Sequence, residues 1–256
     1  MRALQVTGLR KSFGGINAVS NLSFSVDEFE TVGIIGPNGA GKTTVFNLIT
    51  GLYQLDAGSI FYFGQDTKHI APFRLAHLGI SRTFQNLRLF NNLTVSNNIV
   101  APILSHEGYG LWSAIFQTRD YVRLEKAAEK RAKTLLDFFQ LSDKEMYSAN
   151  NLPYGEQRKL ELARALSLKP RLLLVDEPGA GMNPREIKDL VRIIRQIKES
   201  FRLTIVLIEH QMGLVMNVSD RVVVMDFGQK IAEGHPDEIK KNRKVIEAYL
   251  GEEFVC

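Results

Sequence analysis

The segment Gly36-Pro-Asn-Gly-Ala-Gly-Lys-Thr-Thr44 constrains this chain more than any other. Two glycines frame four residues, Lys42 and Thr43 follow, and the apolar run Thr31-Val-Gly-Ile-Ile35 leads in. Val45 to Thr50 leads out and stops at Gly51, so the order strand, loop, helix is expected. A loop of this kind gathers backbone amides around phosphate oxygens. Gly39 and Gly41 let the amides converge, and the helix that begins near Lys42 adds its positive dipole end. Lys42 reaches the β- and γ-phosphates and Thr43 can ligate magnesium. Gly36, Pro37, Asn38, Ala40 and Thr44 complete the stretch expected to line the nucleotide.

Phosphoryl chemistry on such a loop also needs a carboxylate for the magnesium at the end of a buried strand. Leu172-Leu-Leu-Val-Asp176-Glu177 supplies it. Asp176 is expected to hold the metal through a water shell. Glu177, aimed at the γ-phosphate, is the candidate general base for an attacking water. A phosphate-loop kinase would share these parts and use a hydroxyl acceptor in place of water.

Composition narrows the setting. The chain has 256 residues, 45% hydrophobic and 23% charged, which fits an ordinary globular chain and excludes collagen, long coiled coils and disorder. One cysteine, Cys256, leaves no intrachain disulfide and argues against a thiolate zinc site, so a reducing compartment is expected. No apolar run reaches the roughly 18 to 20 residues that cross a bilayer, and the start lacks the pattern of a signal peptide. A net charge of +4 is too small to assign a nucleic-acid partner. The basic stretch Arg123 to Lys133 is interrupted by Glu125 and Glu129, as in a solvated helix face.

Periodicity divides the chain. Leu4 to Thr7 and Ala18 to Val26 read as short antiparallel strands forming a small N-terminal β layer, and Gly58 to Gly64 reads as a second short β-stretch. From Thr94 to about Leu141 the pattern is helical, with Leu124, Ala127, Ala128, Leu135 and Phe138 at helical spacing between Arg123 and Phe139. Beyond it, Leu172–Val175, Leu203–Ile208 and Arg221–Met225 are expected strands, separated by a helix over Glu186–Glu199 and a shorter one. Strands alternating with helices predict a parallel, doubly wound sheet. The expected organisation is an α/β nucleotide-binding core with its β layer over 1–88 and 155–230, an inserted helical subdomain over 89–154, and a helical tail over 231–256.

Asn151-Leu-Pro-Tyr-Gly-Glu-Gln-Arg-Lys-Leu-Glu-Leu-Ala-Arg-Ala-Leu166 resembles the signature segment of ATP-binding cassette (ABC) ATPases, which kinases lack. The resemblance spans nearly the whole chain, from Leu4 to about Gly251. It implies a P-loop NTPase fold with a RecA-like parallel core, and a head-to-tail dimer that sandwiches two ATP molecules with Mg2+. By the same resemblance Tyr154, Gly155, Glu156 and Gln157 face the γ-phosphate held by the opposite protomer; a glycine amide at a helix N-terminus suits an anion. Phe13 matches the aromatic that stacks on adenine. Gln85, in Ser81-Arg-Thr-Phe-Gln-Asn86, matches the glutamine joining the magnesium site to the helical subdomain, and His210 the switch histidine that contacts the γ-phosphate. Three positions depart from the usual pattern. Pro153 stands where a serine is common and has neither a hydroxyl nor an N–H to donate, Tyr154 stands where the first glycine is usual, and Asn183 replaces a common aspartate.

With Gly179-Ala-Gly-Met-Asn-Pro184, Ile208-Glu-His-Gln-Met212 and the tail Val245-Ile-Glu-Ala-Tyr-Leu-Gly251, the set is similar to the ATP-binding subunits of branched-chain amino acid importers. That implies two membrane permease subunits as partners, a homodimer or a heterodimer with a second cassette, no nucleic acid, and a place on the cytoplasmic face of the membrane. The alternative is a soluble ABC ATPase acting on nucleic acid or ribosomes. Gly108 to Phe116, with the only tryptophan, suits either local core or part of a groove for a membrane subunit's helix.

Overall fold

Alternation builds the first layer. On β1 (Arg2–Phe13) the side chains of Leu4 and Val6 are buried, and on β2 (Ile16–Asp27) those of Leu22, Phe24 and Val26. Their shared apolar face pairs the two strands antiparallel, with register shifts that bend the long ribbon. Residue 31 begins a different texture: β3 (Thr31–Ile35) is buried at every position and runs through the phosphate loop into α1 (Lys42–Ile49). β4 (Ala57–Tyr62) and β5 (Gln65–Asp66) complete an antiparallel sheet of order β2-β1-β4-β5. α2 (Pro72–His77) and the three-residue β6 (Ile80–Arg82) follow.

The computed structural model describes residues 1–107 and 118–253; Gly108 to Phe116 and Cys256 lie outside the described residues. The chain forms two compact units, one made of Met1–Arg82 with Arg171 onward, the other of Thr83–Pro170. The second holds α3 (Val95–Glu107), α4 (Arg119–Phe139) and α5 (Tyr154–Leu166), each in contact with the other two. On α4 the residues Ala128, Ala132, Leu135, Leu136 and Phe139 form one buried stripe. α4 begins at Arg119, where Thr118 caps it, its hydroxyl accepting the Tyr121 N–H.

The expected division at 154/155 differs from the division found. α5 packs on α3 and α4, so the whole helix belongs to the helical unit and the chain returns to the first unit only at Arg171. There β7 (Leu172–Asp176), α6 (Pro184–Phe201), β8 (Thr204–Ile208), α7 (Met212–Val218), β9 (Arg221–Asp226), β10 (Gln229–Gly234), α8 (Pro236–Ile239) and α9 (Arg243–Glu253) follow. The tail expected to be helical from 231 therefore begins as a strand. β10 pairs antiparallel with β9, and its half-exposed polar sequence gives no periodic signal.

The second sheet has the order β10-β9-β3-β8-β7-β6 and is parallel from β9 to β6. β7 and β8 are buried at every position, as strands covered on both faces must be. β8 lies between β3 and β7, the arrangement of a RecA-like core. The carboxyl ends of β3, β8 and β7 therefore share one edge of the sheet, the edge where ligands bind in open α/β folds.

Candidate active site

Backbone geometry shapes the phosphate loop. Gly41 is the N-cap of α1 with φ of 95°, and a Cβ there would sit 2.2 Å from the Ala18 carbonyl oxygen. At Gly36 a Cβ would sit 2.0 Å from the Met225 carbonyl oxygen, so neither position tolerates a side chain. The loop is seated on main chain: the Gly228 N–H donates to the Ala40 carbonyl and the Ser20 N–H to the Gly228 carbonyl. The Lys42 ammonium is buried and donates to the carbonyls of Gly36 (2.6 Å) and Pro37 (2.8 Å), which holds it across the loop. α1 starts with no side-chain cap and no acid in its first turn, leaving its positive end to an outside anion. Ala18, Met225 and Gly228 carry no motif, so the sequence did not reveal this seat.

The same edge carries the acids. Asp176 ends β7 in register with Ile208 of β8, and Glu177 and His210 follow on the two chain exits. Glu177 has φ of 44° and its N–H donates to the Ile208 carbonyl at 2.9 Å. His210 Nδ1 lies 3.8 Å from Glu177 Oε2, so the structure brings the expected base and the expected switch histidine together. Asp176 is 1% exposed and accepts a hydrogen bond from Arg82 Nη2 at 2.7 Å. Arg82 Nη1 donates to Asn47 Oδ1 at 2.6 Å, and the guanidinium sits over the Phe46 ring. No spacing or residue type singles out Arg82; only the pairing of β6 with β7 puts it beside Asp176.

The Thr43 hydroxyl and the Asp176 carboxylate are oxygen donors of the kind Mg2+ takes, and no cluster of three His, Cys, Asp or Glu able to hold a metal occurs among the described residues. That donor set fits an ion whose other ligands are phosphates and waters. Phe13 is 42% exposed, so it is not a core aromatic; its ring meets Tyr53 edge to face at 5.2 Å.

In the helical unit, Pro153 caps α5 with its carbonyl, accepting the N–H groups of Glu156 and Gln157. Three expected nucleotide contacts have intrachain partners: the Tyr154 hydroxyl accepts from Arg158 (2.9 Å), Glu156 pairs with Lys144, and the Gln157 amide donates to the Leu152 carbonyl (2.8 Å). Gly155 stays in the first turn of the helix, where backbone amides point outward. Arg158, 3% exposed, donates to the carbonyls of Phe84 (3.0 Å) and Gln85 (2.6 Å) and to Glu161 (3.0 Å). Glu161 accepts the Phe84 N–H, and burial pushes its carboxyl above the usual range against the pull of Arg158. The Phe84–Gln85 backbone is thus fastened to α5 by two side chains that the sequence did not mark. In the first unit Asn183 accepts the N–H groups of Arg185 and Glu186 as the N-cap of α6, a role it fills as well as aspartate does.

Nearly the whole chain matches known proteins. The family model for the ABC transporter matches residues 19–180, and that for the branched-chain amino acid ATP-binding cassette transporter matches residues 229–255. The chain belongs to the ABC transporter family. The cassette is 42% identical to the high-affinity branched-chain amino acid transport ATP-binding protein BraF of Pseudomonas aeruginosa, over 97% of this chain and 98% of that one. It is also 42% identical to LivG of Escherichia coli K12, another high-affinity branched-chain amino acid transport ATP-binding protein, over 97% and 98% of the two chains. Among solved structures, the ADP conformation of MJ1267, an ATP-binding cassette of an ABC transporter, superposes with a TM-score of 0.84 at 32% identity, over 98% of this chain and 99% of that one. The cassette is a nucleotide-binding ATPase subunit of a transporter, so the kinase alternative falls and the nucleic-acid or ribosome alternative is not favoured. No helix among the described residues is long and apolar enough to cross a membrane.

Proposed function

We propose that the cassette powers import of branched-chain amino acids by hydrolysing MgATP in a dimer, docked on two permease subunits at the cytoplasmic face of the membrane. The cargo rests on the relatives' names and on the match over 229–255. The chemistry rests on one observation: Glu177 and His210 meet at the sheet edge that also carries the glycine-framed Lys42. In this reading Thr43, Asp176 and Gln85 are the protein's donors toward Mg2+, which neutralises phosphate charge when bound. Lys42 and the loop amides hold the phosphates, Phe13 stacks on adenine, and Glu177 accepts a proton from the attacking water, oriented together with His210. Gly155 reaches the γ-phosphate of the partner chain, with Tyr154, Glu156 and Gln157 shaping that helix end. The two compact units act as a nucleotide-binding core and a helical subdomain.

Glu177→Gln tests the chemistry. It keeps shape but cannot take a proton, so ATP binding should persist while turnover falls by about 10² to 10⁴-fold. Hydrolysis at the wild-type rate would remove Glu177 as the base. Gly155→Asp should leave ATP binding intact and abolish ATP-driven dimerisation and hydrolysis; an active mutant sinks the trans contact. Loss of leucine, isoleucine and valine uptake on deletion, with lysine uptake unchanged, tests the cargo.

A further inference from the structure

Glu209 lies between β8 and His210, is 0% exposed, and is the only acid among the described residues with this burial and this set of partners. One carboxylate oxygen accepts the Gly179 N–H at 2.7 Å. The other accepts the N–H groups of His210 at 2.9 Å and Gln211 at 3.1 Å. The Gln211 amide donates back to the Gly179 carbonyl at 2.9 Å, so the Gly179 peptide is held on both sides. Glu209 Oε2 also lies 3.7 Å from His210 Nδ1. Its charge is thus met by backbone amides, and no Lys or Arg pairs with it among the described residues.

These bonds stitch together two segments that leave the sheet separately: the loop after Glu177 and the turn bearing His210. We propose that Glu209 is the positioning residue for ATP hydrolysis, clamping the two segments so that the Glu177 carboxylate and the His210 imidazole keep their separation. The inference rests on the roles assigned above to Glu177 and His210. A carboxylate is required because three N–H groups converge on two oxygens. Glutamine has one acceptor oxygen and would turn its amino group toward an N–H, leaving a buried donor unpaired. Gly179 is the matching half of the device. A Cβ there would sit 2.7 Å from Glu209 Oε1 and 2.8 Å from Ile187 Cδ1, so any side chain at 179 displaces the carboxylate or the loop.

The test uses the full-length cassette in its assembled transporter, with kcat, KM and ATP affinity measured beside thermal unfolding. Glu209→Gln should lower kcat by about ten- to a hundredfold, because small misplacement of reacting groups carries that cost, while KM and ATP affinity stay near wild type. Gly179→Ala should lower kcat alike, and the double variant should lose no more than the worse single one, since both disturb one clamp. Glu209→Asp, which keeps the charge, should retain more activity than Glu209→Gln and serves if the latter misfolds. Wild-type kcat in Glu209→Gln, or losses that multiply in the double variant, overturns the proposal. If Glu177→Gln stops turnover while Glu209→Gln does not slow it, the clamp alone falls. Wild-type turnover by Glu177→Gln removes the base and the clamp together.

Discussion

Two segments that leave strands of one sheet are held in opposite ways. The phosphate loop after β3 is seated mainly on main chain: glycines at 36 and 41 admit the Met225 and Ala18 carbonyls, the Gly228 N–H donates to the Ala40 carbonyl, and the one side chain involved, Lys42, belongs to the loop's own motif. The Gln85 segment after β6 is fixed by side chains, with Arg158 and Glu161 of α5 taking the carbonyls of Phe84 and Gln85 and the N–H of Phe84. A loop that binds phosphate with its own amides must be shaped before the ligand arrives, and backbone contacts do that without occupying side chains. A segment held by buried charges depends on both members of the pair, since either one alone is an unpaired ion.

The sharpest break of this contrast is Arg158→Met. It leaves Glu161 buried without its partner, and removal of one member of a buried pair costs about 3 to 5 kcal/mol, so thermal unfolding should move down steeply. Arg158→Met with Glu161→Leu should recover much of that stability and little ATPase activity, because Phe84 and Gln85 remain unanchored. A stable single variant would mean the segment has another support. Lys42→Ala should spare stability by comparison but weaken ATP binding at least tenfold, since a charge-assisted phosphate contact contributes about 1.5 to 3 kcal/mol; unchanged affinity by titration removes Lys42 from the site.

Tyr154→Phe removes only the hydroxyl that Arg158 reaches, a loss of about 1 kcal/mol, and calorimetry should register a small fall in stability with ATP affinity unchanged. The smallest effect is pH dependence. The Glu161 carboxyl is raised by burial, so its proton is held more tightly folded than unfolded. Its contribution is present below the ordinary glutamate value and is lost as pH rises through the folded value. The stability of wild type relative to Glu161→Gln should therefore fall as pH rises from about 4.5 and then level off. An advantage that grows with pH would mean that Arg158 outweighs burial.

The phosphate loop, Asp176, Glu177 and the alternation of strands and helices were legible because backbone chemistry leaves a fixed spacing of glycines and acids. The supports were not. Ala18, Met225 and Gly228 act through carbonyls or amides that any residue type supplies, and Arg82, Arg158, Glu161 and Glu209 read as ordinary surface charges until burial shows their partners. The sequence also misplaced the boundary at α5 and the start of the tail. α5 joins α3 and α4 by packing, while β10 becomes a strand only because β9 offers it an open edge. Local chemistry, written in spacing, thus determined which residues are the candidates to meet the nucleotide. Which buried charges and carbonyls hold them in place was decided by the tertiary structure, because those contacts join residues far apart in the chain: Arg82 meets Asp176 across 94 positions, and Ala40 meets Gly228 across more.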